Sequence, residues 1–86
     1  MMDVDKKQVN EVAAMLHQMG VKVCLYRGDT FTDTKGAEVL TGRTRATIYR
    51  YMKTVAGFPQ KKNVQGQMLF SLSDFLAFQN AQEEAA

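Results

Sequence analysis

Residues 34–75 read TKGAEVLTGRTRATIYRYMKTVAGFPQKKNVQGQMLFSLSDF, and this stretch decides the fold. A short helical pattern runs from about Lys35 to Thr41 and ends at Gly42. The chain must turn sharply there, and glycine adopts a left-handed backbone at little cost. Thr44 is a favourable N-cap for a second helix. The stretch therefore begins with two helices joined by a tight turn.

The second helical pattern has two different faces. One face is apolar and consists of Ile48, Met52, Val55 and the neighbouring Tyr51. The other face is cationic and aromatic and consists of Arg45, Tyr49, Lys53 and the flanking Arg50. Residues three or four apart share a helix face, so the first face is expected to hold the helix on the core and the second to meet a partner. The alternative interpretation is an ordinary amphipathic surface helix. The turn at Gly42 and the hairpin predicted after the helix argue against it.

An extended segment follows the second helix. Phe58-Pro59 ends the helix, because proline disfavours a helical residue before it. Residues 61–64 and 68–70 are expected to pair as a hairpin around Gln65-Gly66.

A last helix is predicted from about Asp74 through Gln82, capped by Ser71 or Ser73. The order helix, turn, helix, hairpin, helix predicts a winged helix-turn-helix, which is a mainly α fold with a small β-hairpin wing. Such a unit can place its second helix in the major groove of DNA.

The first 31 residues precede this unit. Apolar residues at helical spacing predict a helix from Asp5 to Met19 that stops at Gly20. Residues 21–26 predict a short strand and residues 27–29 a turn, after which residues 30–32 either form a second strand or lead into the next helix. The 86 residues allow one domain at most. We divide the chain into residues 1–31, which pack on or extend the core, residues 32–82, the winged helix-turn-helix domain, and residues 83–86, a frayed tail.

The charge distribution is more informative than the net charge of +2. No acidic residue lies between Glu38 and Asp74. The same span contains six basic residues: Arg43, Arg45, Arg50, Lys53, Lys61 and Lys62. A basic centre in a nearly neutral chain can be a phosphate-facing patch. The alternative is a solvated basic face without a partner.

The sequence offers little support for catalysis. Cys24 and His17 are the single cysteine and histidine, so the chain has no internal disulfide, no metal-ligand set and no plausible nucleophile–base pair. We predict that the protein is not an enzyme and binds no cofactor or metal. No apolar run is long enough to cross a membrane, and there is no signal-peptide layout, so the expected location is the cytoplasm.

The segment from Thr34 to Phe78, about half of the chain, resembles the MerR-like winged helix-turn-helix domains of small prophage regulators, the AlpA and excisionase group. The positions that carry the resemblance are Ala37, Gly42, Thr44, Thr47-Ile48-Tyr49-Arg50, Phe58-Pro59, Gly66 and Ser73-Asp74-Phe75. The resemblance implies a bacterial or phage-encoded protein that binds double-stranded DNA. It also implies a role in transcription control or in excisive recombination of a mobile element.

The resemblance also implies which side chains face DNA. On the second helix and the turn before it, these are Arg43, Thr44, Arg45, Thr47, Tyr49 and Arg50. The turn Gln65-Gly66-Gln67 would lie near the DNA backbone or the minor groove. Arg45 lies early on the helix and is our first candidate for a guanine contact, since arginine binds guanine through two hydrogen bonds. Arg50, Lys53, Lys61 and Lys62 are assigned to phosphates.

Two other functions stay open. A protein-interaction module, such as an antirepressor or adaptor, would use the apolar face of the first helix with its methionines. A recognition subunit like those of viral packaging terminases would bind DNA through a similar fold.

A DNA-binding module of this size covers about 600–1,000 Å² of protein surface, which is a small contact area. We therefore expect a homodimer or a cooperative oligomer on DNA.

Overall fold

The computed structural model describes residues 5–85 of the chain. The described part contains four helices and four strands. In chain order these are α1 (Lys6–Gln18), β1 (Val23–Tyr26), β2 (Asp29–Thr32), α2 (Thr34–Thr41), α3 (Arg45–Thr54), β3 (Lys62–Val64), β4 (Gln67–Ser71) and α4 (Leu72–Ala85). The molecule is thus a small α/β domain. Residues 1–4 of the predicted N-terminal segment lie outside the described residues.

The four strands form one antiparallel sheet in the order β1-β2-β4-β3. Two hairpins, β1–β2 and β3–β4, are joined by pairing of Phe31 with Ser71 and of Thr32 with Phe70. Residues 30–32 therefore belong to a second strand, one of the two possibilities that the sequence left open. The small hairpin predicted from the sequence is one half of a larger sheet, because the N-terminal hairpin supplies the other two strands.

Both hairpins close through two-residue turns with left-handed backbone. The φ angles are 50° and 79° at Arg27-Gly28, and 51° and 87° at Gln65-Gly66. Positive φ at both central residues matches the right-handed twist of the flanking strands. Asn63 supports the second turn, since its Oδ1 accepts a hydrogen bond of 2.9 Å from the Gly66 N–H. The predicted turn at Gln65-Gly66 is confirmed.

Three groups of buried apolar side chains hold these elements together. The first joins α1 to α4 and consists of Val9, Leu16, Val21, Leu72 and Leu76. The second lies under α2 and α3 and consists of Ala37, Ile48, Phe58, Phe70 and Phe75. The third lies on the sheet and consists of Phe31, Val64 and Leu69, with the half-buried Cys24 and Tyr26 packed against it. Phe58 also makes edge-to-face contacts with Tyr51, Phe75 and Phe78.

Asp29 ties the N-terminal hairpin to the start of α4. Its carboxylate accepts hydrogen bonds from the Ser71 hydroxyl at 2.7 Å, the Ser73 hydroxyl at 2.8 Å and the Thr30 N–H at 2.8 Å. This contact and the first apolar group connect residues before position 32 to the first part of α4. The sequence offered no signal for it, since the partners lie more than forty positions apart.

Several element boundaries differ from the predictions. The last helix begins at Leu72 rather than Asp74 and continues past Gln82 to Ala85. It starts early because Ser71 Oγ accepts the Asp74 N–H at 3.2 Å and because Leu72 is fully buried. Strand β1 begins at Val23, two residues later than predicted. Fraying of residues 83–86 stays a prediction, and Ala86 lies outside the described residues.

Candidate nucleic-acid interface

Helices α2 and α3 are joined by residues 42–44. Gly42 ends α2 in the left-handed conformation, with φ of 69°, and its N–H donates to the Glu38 carbonyl at 2.8 Å. Thr44 caps α3, and its Oγ1 accepts the Thr47 N–H at 3.3 Å. Both predictions, the glycine turn and the threonine cap, are confirmed. The turn therefore orients α3 relative to α2 through local backbone geometry.

The start of α2 approaches β2 very closely. Asp33 caps the helix by accepting the Gly36 N–H at 3.1 Å. A Cβ atom added to Gly36 would lie 1.9 Å from Oγ1 of Thr32, which is fully buried and donates to the Lys22 carbonyl. Ala37 beside it is also fully buried. The first turn of α2 therefore has no room for a side chain at Gly36.

Helix α3 separates its two faces as predicted. Ile48 is fully buried, and Tyr51, Met52 and Val55 pack partly buried beside it. The opposite face is exposed and consists of Arg45, Ala46, Tyr49, Arg50 and Lys53. We call these five residues the outer face of α3. Ala46 was missed by the sequence interpretation, although it is exposed one helical turn before Arg50.

Tyr49 connects the outer face to the rest of the domain. Its hydroxyl accepts a hydrogen bond of 2.9 Å from Lys61 Nζ and lies 3.4 Å from Thr34 Oγ1. The Lys61 ammonium also lies 5.0 Å from the centre of the Tyr49 ring and 5.7 Å from that of Phe70. The side chain of Tyr49 is 37% exposed, so it is held in place yet accessible. Thr34, which the sequence interpretation missed, is therefore a supporting residue.

The surroundings of Tyr49 are electrostatically positive. The hydrogen bond from Lys61 lowers the pKa of the Tyr49 phenol, and the hydrogen bond with Thr34 and the charges of Lys61 and Arg45 lower it further. An environment that stabilises a phenolate also favours any other anion that approaches it.

Lys61 and Lys62 lie on opposite sides of the sheet. Lys61 contacts the ring of Phe70, whereas Lys62 pairs in register with Leu69. Since neighbouring strand residues alternate between faces, Lys62 points away from Lys61. Its Nζ forms an ion pair of 3.0 Å with Asp74 Oδ2 at the start of α4. The structure therefore brings Lys61 to the outer face of α3 but does not bring Lys62 there.

The two glutamines of the β3–β4 turn have different surroundings. Gln65 is exposed at the turn. The side-chain carbonyl of Gln67 accepts a hydrogen bond from Lys22, which precedes β1. Lys22 thus supplies a positive charge beside this hairpin, and the sequence interpretation missed it because the two residues are 45 positions apart. Met68 was also missed, although it is 53% exposed and shares the helix-facing side of the sheet with Phe70.

The residues at the N-terminus of α3 are of two kinds: exposed arginines, and threonines that cap the helix. Arg43 is exposed in the turn, and its N–H donates to Thr41 Oγ1 at 3.2 Å. Thr47 is half-buried, and its hydroxyl accepts a hydrogen bond of 3.1 Å from Thr44 Oγ1. Thr44 and Thr47 therefore stabilise the start of the helix, whereas Arg43 and Arg45 extend from it.

Apart from Lys62, the basic side chains of this region lack acidic partners among the described side chains. The ion pair between Lys62 and Asp74 is the single one found there. In the same part of the chain, no group of His, Cys, Asp and Glu side chains is arranged to hold a metal ion. None of the described helices combines the length and apolar character needed to span a bilayer. The charges of the outer face are consequently not neutralised within the described structure.

We compared the chain with protein-family models, with curated proteins and with solved structures, and none of the three comparisons found a match.

Proposed function

We propose that the protein is a sequence-specific DNA-binding protein of the winged helix-turn-helix class. In this proposal α2 and α3 are the helix-turn-helix, and the β3–β4 hairpin is the wing. The observation that carries it is the outer face of α3, where Arg45, Arg50 and Lys53 are exposed on the same helix as Tyr49 and have no acidic partner among the described side chains. Duplex DNA offers the dense negative charge that such a surface favours.

The role we infer is that of a small prophage or mobile-element regulator or an excisionase-like factor, in line with the resemblance to the AlpA and excisionase group. Two of the positions that carry the resemblance, Gly42 and Thr44, form the turn and the N-cap between α2 and α3. These features support the proposal, although each also serves the fold.

In this proposal, some residues of the outer face contact bases and others contact phosphates. Arg45 is the first residue of α3, so its side chain reaches furthest toward a groove entered by the helix N-terminus. Arg43 lies just before it and Tyr49 one turn after it. Arg50, Lys53 and Lys61 flank these residues and are suited to phosphates, which position a protein without specifying sequence. Lys62 is removed from this set because Asp74 neutralises it.

Lys61 has a second role in this proposal. Because its ammonium group donates to the Tyr49 hydroxyl, it holds the aromatic ring against α3 before any DNA arrives. An ordered side chain loses less conformational entropy on binding than a free one. The base of the wing therefore prepares the helix for contact with DNA.

The experiment that tests this function is selection from a pool of random duplexes with the purified chain across a salt series. We expect an enriched sequence motif and a logarithmic salt dependence with a slope of about −0.9 for each phosphate neutralised. Binding without an enriched motif would leave only an architectural role. A complete lack of binding at low salt would contradict the proposal.

A protein-interaction module is the second candidate, and one observation favours it. Met15 on α1 and Met19 at the C-cap of that helix lie four residues apart and are 42% and 54% exposed. Methionine pairs on helices are adaptable contact surfaces. Replacing Met15 and Met19 by lysine would abolish the activity of an adaptor, whereas a DNA-binding protein would keep its affinity for the selected site.

A further inference from the structure

The outer edge of β1 has unusual properties. The strand order leaves β1 at one side of the sheet, and no strand of residues 5–85 pairs with its outer edge. Residues 23–26 carry no charge, and Leu25 is 75% exposed, the highest value among the large apolar side chains described. Proteins usually protect edge strands with a lysine, a proline or a bulge. Strand β1 has none of these three, and its only protection of this kind is its short length of four residues.

The hairpin geometry shows which backbone groups face outward. The two-residue turn at Arg27-Gly28 makes Tyr26 and Asp29 a hydrogen-bonded pair. Hydrogen-bonded and non-hydrogen-bonded pairs alternate along an antiparallel ladder. Cys24 therefore directs its N–H and C=O toward β2, whereas Val23 and Leu25 direct theirs toward the outer edge.

We propose that this edge pairs antiparallel with β1 of a second copy of the chain, so that two four-stranded sheets join across a twofold axis. The outward N–H and C=O groups of an exposed edge are a template to which a further strand can add. An antiparallel pair of identical strands is self-complementary and closes as a dimer. When Val23 of one copy lies opposite Leu25 of the other, every outward N–H and C=O group of these two residues forms a hydrogen bond with the other copy. The axis then passes beside Cys24.

The side chains suit this register. Val23 and Leu25 lie on the same face of the sheet, and Val23 packs against the apolar group of α1 and α4. Pairing would cover the exposed Leu25 with Val23 of the second copy. The charged residues that flank the strand do not oppose each other, because Lys22 would face Tyr26 of the second copy and Arg27 would face Val21. The contact is smaller than the standard of about 800 Å² per partner, so we expect dimers only at high protein concentration.

In this register, disulfide formation between the two Cys24 residues reports dimer formation. Two Cys24 residues would form a non-hydrogen-bonded pair with Cα atoms about 4.5 Å apart. A disulfide spans Cα distances of about 4.4–6.8 Å. Mild oxidation should therefore trap the dimer through the single thiol of the chain.

The dimer would also change how DNA is presented, a consequence that rests on the proposed function. A twofold axis normal to the sheet reverses the direction of every strand in the second copy. The two Gln65-Gly66 turns would then point to opposite ends of the joined sheet. Within the proposed function, the two wings of such a dimer would therefore be directed away from each other.

The test uses the full chain and three proteins: the wild type, Leu25→Lys and the matched control Met68→Lys. Met68 is an exposed apolar residue on an interior strand, so its replacement adds the same charge away from the edge. Sedimentation velocity over a concentration series measures dimerisation. Oxidation with diamide, which takes the two thiol hydrogens and leaves a disulfide, measures Cys24 cross-linking on a non-reducing gel. Circular dichroism verifies the fold of each variant.

We expect the wild type and Met68→Lys to dimerise and to cross-link. Leu25→Lys should raise the dimer dissociation constant by about tenfold or more, because it brings two ammonium groups close together across the axis. A wild type that stays monomeric at every concentration would overturn the inference. Equal cross-linking in Leu25→Lys would also overturn it, since collision would then explain the disulfide. Neither result depends on DNA, so the proposed function is tested separately.

Discussion

At the scale of single residues, the clearest distinction is between Arg45 and the lysines around it. Arg45 is exposed at the first position of α3. Its guanidinium has the planar fork that matches the two acceptors of guanine, a geometry that lysine lacks. Under the proposed function, base specificity should therefore depend on the side-chain shape at this position as well as on its charge.

We expect Arg45→Lys to reduce the preference for the selected site by about 1–3 kcal/mol while leaving non-specific binding largely unchanged. Lys7→Ala on α1 is the control, because it removes a positive charge from an exposed site outside α3. Fluorescence anisotropy with the selected and a scrambled duplex measures both affinities. A uniform loss on both duplexes would show that Arg45 contacts phosphate instead.

The contact between Lys61 and Tyr49 leads to a prediction that does not involve DNA. Lys61→Met should raise the pKa of Tyr49 toward its ordinary value of 10.0, because the hydrogen bond from Lys61 is the largest cause of the lowering. Lys62→Met should leave that pKa unchanged, since Lys62 pairs with Asp74. Ultraviolet titration of each protein, compared with a Tyr49→Phe variant, isolates the signal of Tyr49. An equal response in both lysine variants would refute the assignment.

The lowered pKa also fixes the sign of a pH effect. A group whose pKa is lower in the folded protein than in the unfolded chain stabilises the fold only when it is ionised. For Tyr49 this contribution is fully present above the ordinary value of 10.0 and is lost as the pH falls through the lowered pKa of the folded state. At neutral pH the role of the Lys61 hydrogen bond is therefore to position the ring.

At the scale of elements, the approach of α2 to β2 determines where the helices α2 and α3 lie on the sheet. Gly36 permits this approach because a side chain there would overlap Thr32. Helix propensity alone predicts the opposite preference, since alanine is favoured over glycine inside helices by about 1 kcal/mol. Whether replacing Gly36 by alanine raises or lowers the free energy of unfolding therefore decides between the two effects.

We predict that Gly36→Ala destabilises the protein by about 1–3 kcal/mol, the usual cost of overpacking a core. Lys35→Ala is the matched control, because Lys35 is exposed on the same helical turn and should change stability by less than about 0.5 kcal/mol. Urea unfolding followed by circular dichroism measures both. A stabilised Gly36→Ala protein would show that the helix lies further from Thr32.

At the scale of the whole molecule, the N-terminal segment is an integral part of the structure. Helix α1 packs on α4, and β2 pairs with β4. A chain of this length has a thin core, so it depends on each apolar group. Unfolding should therefore be a single transition for the N-terminal and C-terminal parts.

Leu16→Ala should lower the free energy of unfolding by about 2–5 kcal/mol, because Leu16 is fully buried between α1 and α4. The neighbouring Met15 is exposed, and Met15→Ala should have little effect. Tyrosine fluorescence and circular dichroism should report the same midpoint for Leu16→Ala. Two separate transitions would show that residues 32–82 form an independent domain.

The sequence by itself determined the features that depend on neighbouring residues. The Gly42 turn, the Thr44 cap, the buried Ile48 face of α3 and the turn at Gln65-Gly66 all follow from preferences that act within one helical or hairpin turn. The same local rules misjudged the start of α4, because burial of Leu72 extends that helix beyond its expected boundary.

Only the tertiary structure decided which distant residues meet. Pairing of Phe31 with Ser71 joins two hairpins into one sheet, and no periodicity in either strand specifies that partner. Which of the two lysines reaches the outer face of α3 likewise depends on where Tyr49 and Asp74 lie in space. Such contacts depend on the packing of elements far apart in the chain, and packing is decided by the shape of the whole core rather than by local preference.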